Sequence, residues 1–470
     1  MTNEFINMPV EQLAPLIENK KISSQELTEA VLDRAEKYND TINAYIDITR
    51  NKALKMAKKA DKDIAAGGYK GMYHGIPIGI KDNVYLKNET TTMGSKIHED
   101  FIPDYDATIV ERLKNTGAVF TGKLNMHEYA HGPTNNNPHF GACKNPWDLE
   151  RIPGSSSGGS GAATIASMAS ASIGTDTGGS IRIPAASCGI VGLKPTYGRV
   201  SKHGVFPLAW SLDHVGPMTK TVKDAAGMLE IIAGYDKHDS SSLKVPVENY
   251  TTTIDKGVRD LVIGINEDYF FEKVDQDIEA LIKGEIKKLE SQGAKIEVVS
   301  IPALEYAEYS LMTTMITEPA AVHHQNLVEQ PENFAADVRT LLQLGQLMPA
   351  VDYLQAQQYR YMVKEDFQKV FQKVDVLITP TTPFTAPFIG DEYGEVNGKK
   401  VDLNDEVVRF TGPGNITGLP SLSIPCGLKD GVPVGMQIMG NAFNESMVLR
   451  VGRAIEKNVN FNSMVPDFKF

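Results

Sequence analysis

Between residues 8 and 66 the apolar positions recur at helical spacing, so the chain is expected to open with helices. Ser23-Ser24-Gln25-Glu26 reads as a capping box ahead of LTEAVLDRAEKY, a segment with one apolar face. The pattern changes at His74-Gly75-Ile76-Pro77-Ile78-Gly79-Ile80-Lys81, which predicts a short buried strand with Lys81 at its end. ATIVERLKNT then predicts a helix that passes through Gly117 into a strand, AVF. Residues 131–161 are rich in Gly, Pro, Asn and Ser and predict irregular backbone. GAATIASMASA, over residues 161–171, suits a closely packed interior helix, and residues 174–180 suit a glycine-rich turn. Further on, DLVIGI, IEALIKGEIKKLESQG, AKIEVVSIP and VDVLITP predict strand, helix, strand and strand, and residues 440–457 a closing helix. This rhythm predicts an α/β layered fold. It divides into an N-terminal helical cap over 1–65 and one dominant domain over 66–470, a compact unit without internal repeats.

Composition narrows the classes. The chain has 470 residues, 41% apolar and 23% charged, with a net charge of −12. Such a chain can enclose a large core. No basic run is present to neutralise phosphates, so direct nucleic-acid binding is not expected. Cys143, Cys188 and Cys426 are far apart and show no CxxC spacing, which argues against a disulfide framework or a thiolate zinc site. The first residues lack the cationic and apolar regions of a signal peptide, and no apolar run is long enough to span a bilayer. A soluble, cytoplasmic protein is expected.

The candidate chemistry lies in two serine-glycine stretches, Gly154-Ser155-Ser156-Ser157-Gly158-Gly159-Ser160-Gly161 and Gly174-Thr175-Asp176-Thr177-Gly178-Gly179-Ser180. A flexible linker would join separable units. These stretches instead flank a segment of small apolar residues that must be buried. Glycine-rich turns of that kind bring backbone N–H groups close to a ligand. Acyl transfer needs a nucleophile, a base and donors for the oxyanion. Thr177, Gly178 and Gly179 can supply the donors, with Ser180 beside them as nucleophile. Lys81 can act as a base once burial has made it neutral, and its place after an apolar strand fits that role.

Two other motifs compete. Gly154-Ser155-Ser156-Ser157-Gly158 matches a GxSxG nucleophile elbow, but NPWDLERIP before it does not read as the required strand. His127-Glu128-Tyr129-Ala130-His131 matches HExxH, with Glu150 as a conceivable third zinc ligand. Zinc-peptidase chemistry needs both histidines on one helix, and Gly132-Pro133 follows at once. A polar loop without metal is the expected alternative.

Together the motifs resemble the amidase signature family. The match runs through His74-Gly75-Ile76-Pro77, Lys81-Asp82, GSSSGGSGAA, GTDTGGSIRIPAASCGIVGLKPTYGRVS, SLDHVGPMT and GNITGLPSLSIPCG, covering about residues 10–460. The resemblance implies a large twisted mixed β-sheet covered by helices on both faces. It implies an amidase cleaving linear amide C–N bonds through an acyl-enzyme, with a second serine relaying the proton between nucleophile and lysine. The family's spacing selects Ser156 as that relay, held by a cis peptide bond. His131 and Ser157 are expected beside the substrate, His131 through its backbone and Ser157 through the hydrogen bonds it supports. Asp176 and Arg182 are expected to brace the loop. No cofactor or metal is implied, and the expected partner is a small-molecule amide, with the chain a monomer or homodimer away from membranes.

Two branches of the family are open: free-standing amidases, and the glutaminase subunit of a tRNA-dependent amidotransferase, which this chain also resembles over nearly its full length. That subunit usually has Gln where this chain has Ile183. It also has an Arg and an Asp where an alignment by eye places Leu341 and Val408. These departures favour the free-standing amidase, with Met312, Met315 and Ile316 as a candidate apolar wall.

Overall fold

A computed structural model describes residues 5–459 and 465–466. Eleven strands form one mixed sheet. In chain order they are β1 (Tyr45–Ile48), β2 (Pro77–Lys81), β3 (Val119–Leu124), β4 (Ala171–Asp176), β5 (Val191–Lys194), β6 (His214–Thr219), β7 (Val262–Ile265), β8 (Lys295–Val298), β9 (Val376–Pro380), β10 (Ser421–Lys429) and β11 (Val432–Gly440). Across the sheet the order is β1-β3-β2-β4-β6-β5-β10-β11-β9-β7-β8.

The helices used below are α1 (Val10–Glu18), α2 (Ser24–Ile42), α3 (Arg50–Ala65), α4 (Thr108–Thr116), α5 (Gly158–Ile165), α6 (Arg182–Cys188), α7 (Val222–Ile232), α8 (Gln276–Ser291), α9 (Ala307–Val322), α10 (Ala336–Gln346), α11 (Ala350–Val370), α12 (Gly412–Thr417) and α13 (Glu445–Val459). They cover both faces of the sheet. On one, Leu422 of β10 reaches Gly452 of α13; on the other, Gly435 of β11 lies against Ala186 of α6, and a Cβ at either glycine would collide.

The capping box at the start of α2 is present: the Ser23 hydroxyl accepts from the Glu26 amide, and the Glu26 carboxylate accepts from the Ser23 amide. α1, α2 and α3 occupy the stretch predicted helical, but β1 interrupts it. Tyr45 is buried there, and β1 pairs antiparallel with β3, with Tyr45 opposite Leu124. Val10, Leu13 and Val31 share one apolar cluster with Ile78 and Ile80 of β2 and Leu449 of α13.

The helix predicted over 161–171 is shorter and earlier. α5 runs from 158 to 165, Ser167 has φ +56°, and Ala171 already begins β4. Small apolar residues fit a buried helix and a buried strand equally well, so periodicity did not separate them. Among the described residues no helix is long and apolar enough to cross a membrane.

Candidate active site

Three neighbouring strands set the site. β2 is parallel to β4, with Ile80 beside Ile173, so the end of β2 brings Lys81 alongside the end of β4. β6 runs antiparallel to β4 and starts at the same edge, with His214 opposite Asp176. Gly79, inside β2, has no room for a Cβ beside Leu124, which lets β2 and β3 pack closely behind Lys81.

Lys81 is completely buried. Its Nζ lies 2.7 Å from the Ser156 hydroxyl, 2.9 Å from that of Ser157 and 2.8 Å from that of Thr175. Burial pushes the amine down to about 7, against the opposing pull of Asp176 and Asp213. Ser156 and Ser157 sit at the entry to α5, and the Ser155–Ser156 peptide bond is cis. Ser157 donates its backbone N–H to the carbonyl of Ser180, tying the two serine-glycine stretches together.

From Thr177 to Ser180 the chain turns between β4 and α6. The backbone N–H groups of these four residues donate to no acceptor among the described residues. Gly179 has φ +142°, and a Cβ there would meet Thr411 and Ile183; one on Gly178 would press on Met315. This turn therefore requires glycine at 179, whereas a side chain at 178 would displace only the end of Met315. Below it, the Arg182 guanidinium holds both oxygens of Asp176 at 2.8 and 3.0 Å and reaches the Thr411 carbonyl, Gln437 and Asn415. Burial alone would raise the Asp176 carboxyl. Arg182, Lys194 and Asn415 instead hold it well below the usual carboxylate range.

Ser180 opens onto a pocket of about 600 Å³, counted to its mouth. Its hydroxyl has no hydrogen-bond partner among the described residues. Ile183, Met312, Met315, Ile316, Leu341, Val407 and Val408 line the pocket together with Leu208, His131, Thr177, Gly178 and Asn404, and none of the described lining residues is Asp, Glu, Lys or Arg. His131 is buried, its Nδ1 has no hydrogen-bond partner among the described residues, and burial lowers its imidazole to about 4. Ser157 is fully buried and is not among the residues that line this pocket. The geometry places it within the lysine's hydroxyl cluster.

The HExxH segment is not an α-helix. A single 3₁₀ turn covers Glu128–Ala130, and Tyr129 and Ala130 have positive φ. His127 pairs with Asp337 at 3.1 Å, while Glu128 accepts from Ser95 and the Ala335 amide and pairs with His139. The arrangement that zinc-peptidase chemistry requires is therefore not formed. A loop, not a strand, precedes Gly154, so the nucleophile-elbow geometry is not formed either.

Three residues around the site escaped the sequence reading: Thr175 and Asn83 (whose amide donates to Thr175 at 3.2 Å) in the lysine's cluster, and Asp213 (which accepts from the Thr177 hydroxyl at 2.6 Å) beside the glycine-rich turn. The available signal was position, since Asn83 lies two residues after Lys81 and Thr175 lies inside the second glycine-rich stretch.

A buried amine among three hydroxyls thus lies beside an apolar pocket and a turn whose amides find no acceptor among the described residues. The Amidase family model matches residues 26–449, and the chain belongs to this amidase signature family, whose enzymes cleave amide C–N bonds. Its relatives include a glutamyl-tRNA(Gln) amidotransferase subunit of Carboxydothermus hydrogenoformans, 40% identical over 98% of this chain and 99% of the relative. Among solved structures, a chain from a vestigial protein complex that bears on the origins of an s-triazine catabolic enzyme superposes with a TM-score of 0.92, at 32% identity, over 98% of this chain and 100% of the other. An amidase superposes with a TM-score of 0.88, at 33% identity, over 96% and 100%.

Proposed function

We propose that this chain is a serine amidohydrolase whose nucleophile is Ser180, whose relay is Ser156 and whose base is Lys81. The observation that carries the reading is the Lys81 amine, brought near neutrality by burial and held 2.7 Å from Ser156. Neutral Lys81 takes the proton of Ser156 as Ser156 takes that of Ser180, and Ser180 adds to the amide carbonyl. The N–H groups of Thr177, Gly178 and Gly179 receive the oxyanion. The proton returns through Ser156 to the leaving nitrogen, the C–N bond breaks, and an amine or ammonia departs. Water then hydrolyses the acyl-enzyme to the acid. Ser157 and Thr175 keep the amine oriented. In the resting state Ser180 need not touch Ser156, because catalytic hydrogen bonds often tighten only once substrate is bound.

This mechanism sets the sign of the pH dependence. Only the deprotonated amine accepts a proton. Activity is expected to fall about tenfold per unit below pH 7 and to level off above it, and a pH series of kcat/KM with a neutral amide measures this. A rate that rises on acidification through pH 7 contradicts a lysine base.

The apolar wall supports a carboxamide with an uncharged, apolar acyl group. A second reading, the glutaminase subunit of a tRNA-dependent amidotransferase, is supported by the 40% identical relative from such an enzyme, matched over nearly its whole length. By sequence identity the comparisons back this second reading more strongly than the first. The pocket favours the first, because the ammonium and carboxylate of free glutamine would meet no charged lining residue. A panel of aliphatic and aryl amides assayed beside glutamine separates the two. For the free-standing amidase, kcat/KM on the best apolar amide should exceed that on glutamine by at least about 100-fold. Glutamine turnover that depends on a co-purifying tRNA-binding protein would select the second reading.

A further inference from the structure

Asp213 stands immediately before β6, outside the hydroxyl cluster of Lys81. Its Oδ1 accepts the Thr177 hydroxyl at 2.6 Å and the Ala209 amide at 3.1 Å, while its Oδ2 accepts the Leu208 amide at 3.0 Å. Thr177 opens the turn whose N–H groups find no acceptor among the described residues, and Leu208 is part of the pocket wall. A second cavity adjoins that pocket, since Ala130, Thr177 and Leu208 border both. One carboxylate therefore ties the turn to the wall facing it.

We propose that Asp213 is a positioning residue for the oxyanion, acting through the Thr177 side chain to hold the backbone donors of the turn in register with the pocket. This inference rests on the acyl-transfer reading above. Its physical basis is that displacing preorganised donors by about 1 Å costs about 100-fold in rate. An amide side chain cannot replace the carboxylate. Asn offers one oxygen where three donors converge, so at least one of them loses its acceptor.

The loop does not depend on Asp213 for its existence. Ser211, within it, donates its amide and hydroxyl to Glu318 of α9, and Arg360 of α11 donates to the Ser211 carbonyl. The Asp213→Asn variant is thus expected to fold.

The test uses the full chain at pH 8.5 and a fluorophosphonate, whose attack by Ser180 also develops negative charge on oxygen. Thr177→Val and Asp213→Asn should each slow labelling about ten- to a hundredfold and lower kcat on an amide to the same degree, with KM changed by less than about threefold. The double variant should be no more than about threefold slower than the slower single variant, because both substitutions loosen the same tie between the turn and the Leu208 wall. Wild-type labelling rates in Thr177→Val, or losses that multiply in the double variant, overturn the role of Asp213 and leave the acyl-transfer reading standing. Failure of the unmodified chain to label at all overturns both.

Discussion

Replacing Ser180 with alanine is expected to abolish fluorophosphonate labelling and to cut amide turnover by at least about 10⁴-fold, with the thermal midpoint nearly unchanged. The stability expectation follows from the contacts. The Ser180 hydroxyl has no hydrogen-bond partner among the described residues, so its loss strands no buried donor or acceptor. Lys81→Met should be as damaging to the chemistry and more costly to the fold, because it leaves the hydroxyls of Ser156, Ser157 and Thr175 facing an apolar chain. Intact-mass analysis after labelling, beside turnover of the best amide, reads both. An alanine variant that still takes up the probe, or keeps a tenth of the turnover, removes Ser180 from the nucleophile's role.

The second large effect concerns stability. Arg182→Met is expected to destabilise the fold by about 3–5 kcal/mol at neutral pH, because Asp176 then remains as a buried charge without its cation. The Thr411 carbonyl, Gln437 and Asn415 lose a donor at the same time. The pH dependence has a definite sign. In the native chain the depressed Asp176 pKa contributes stability that is present above the unfolded value and is lost as pH falls through the folded one. In the variant burial raises that carboxyl, so protonation relieves it. The gap between the two proteins should be widest near neutrality and narrow below about pH 4. Urea unfolding at several pH values measures it, and equal midpoints at pH 7 would refute the bracing role.

Much of this architecture was legible from local patterns. The Ser23 cap, the strand ending at Lys81 and the strand-helix-strand rhythm after Leu261 each follow from spacing alone. β1 was not legible, because four residues between two long helices carry too little periodicity to stand out. GAATIASMASA misled for a related reason: its small residues pack in either state, and tertiary pairing with β2 and β6 turns the end of the segment into strand. Within the site, the glycines and Lys81 were conspicuous because linkers and surface lysines do not sit in apolar surroundings. Thr175 and Asp213 were not, since a single hydroxyl or carboxylate in sequence gives no hint of the strand that will face it. Ser157 shows the same limit, as only the fold separates a serine that lines the pocket from one buried beside the lysine.

The sheet edge that holds Lys81, Thr175 and Asp176 is made by β2, β4 and β6, whereas Met312, Leu341 and Val408 come from α9, α10 and the segment before α12. In the proposed mechanism, reactivity and selectivity are thus carried by different parts of the polypeptide. Swapping the outer helical wall for another would change which acids the protein accepts while leaving its bond-breaking apparatus in place, which makes that wall the natural target for redesign.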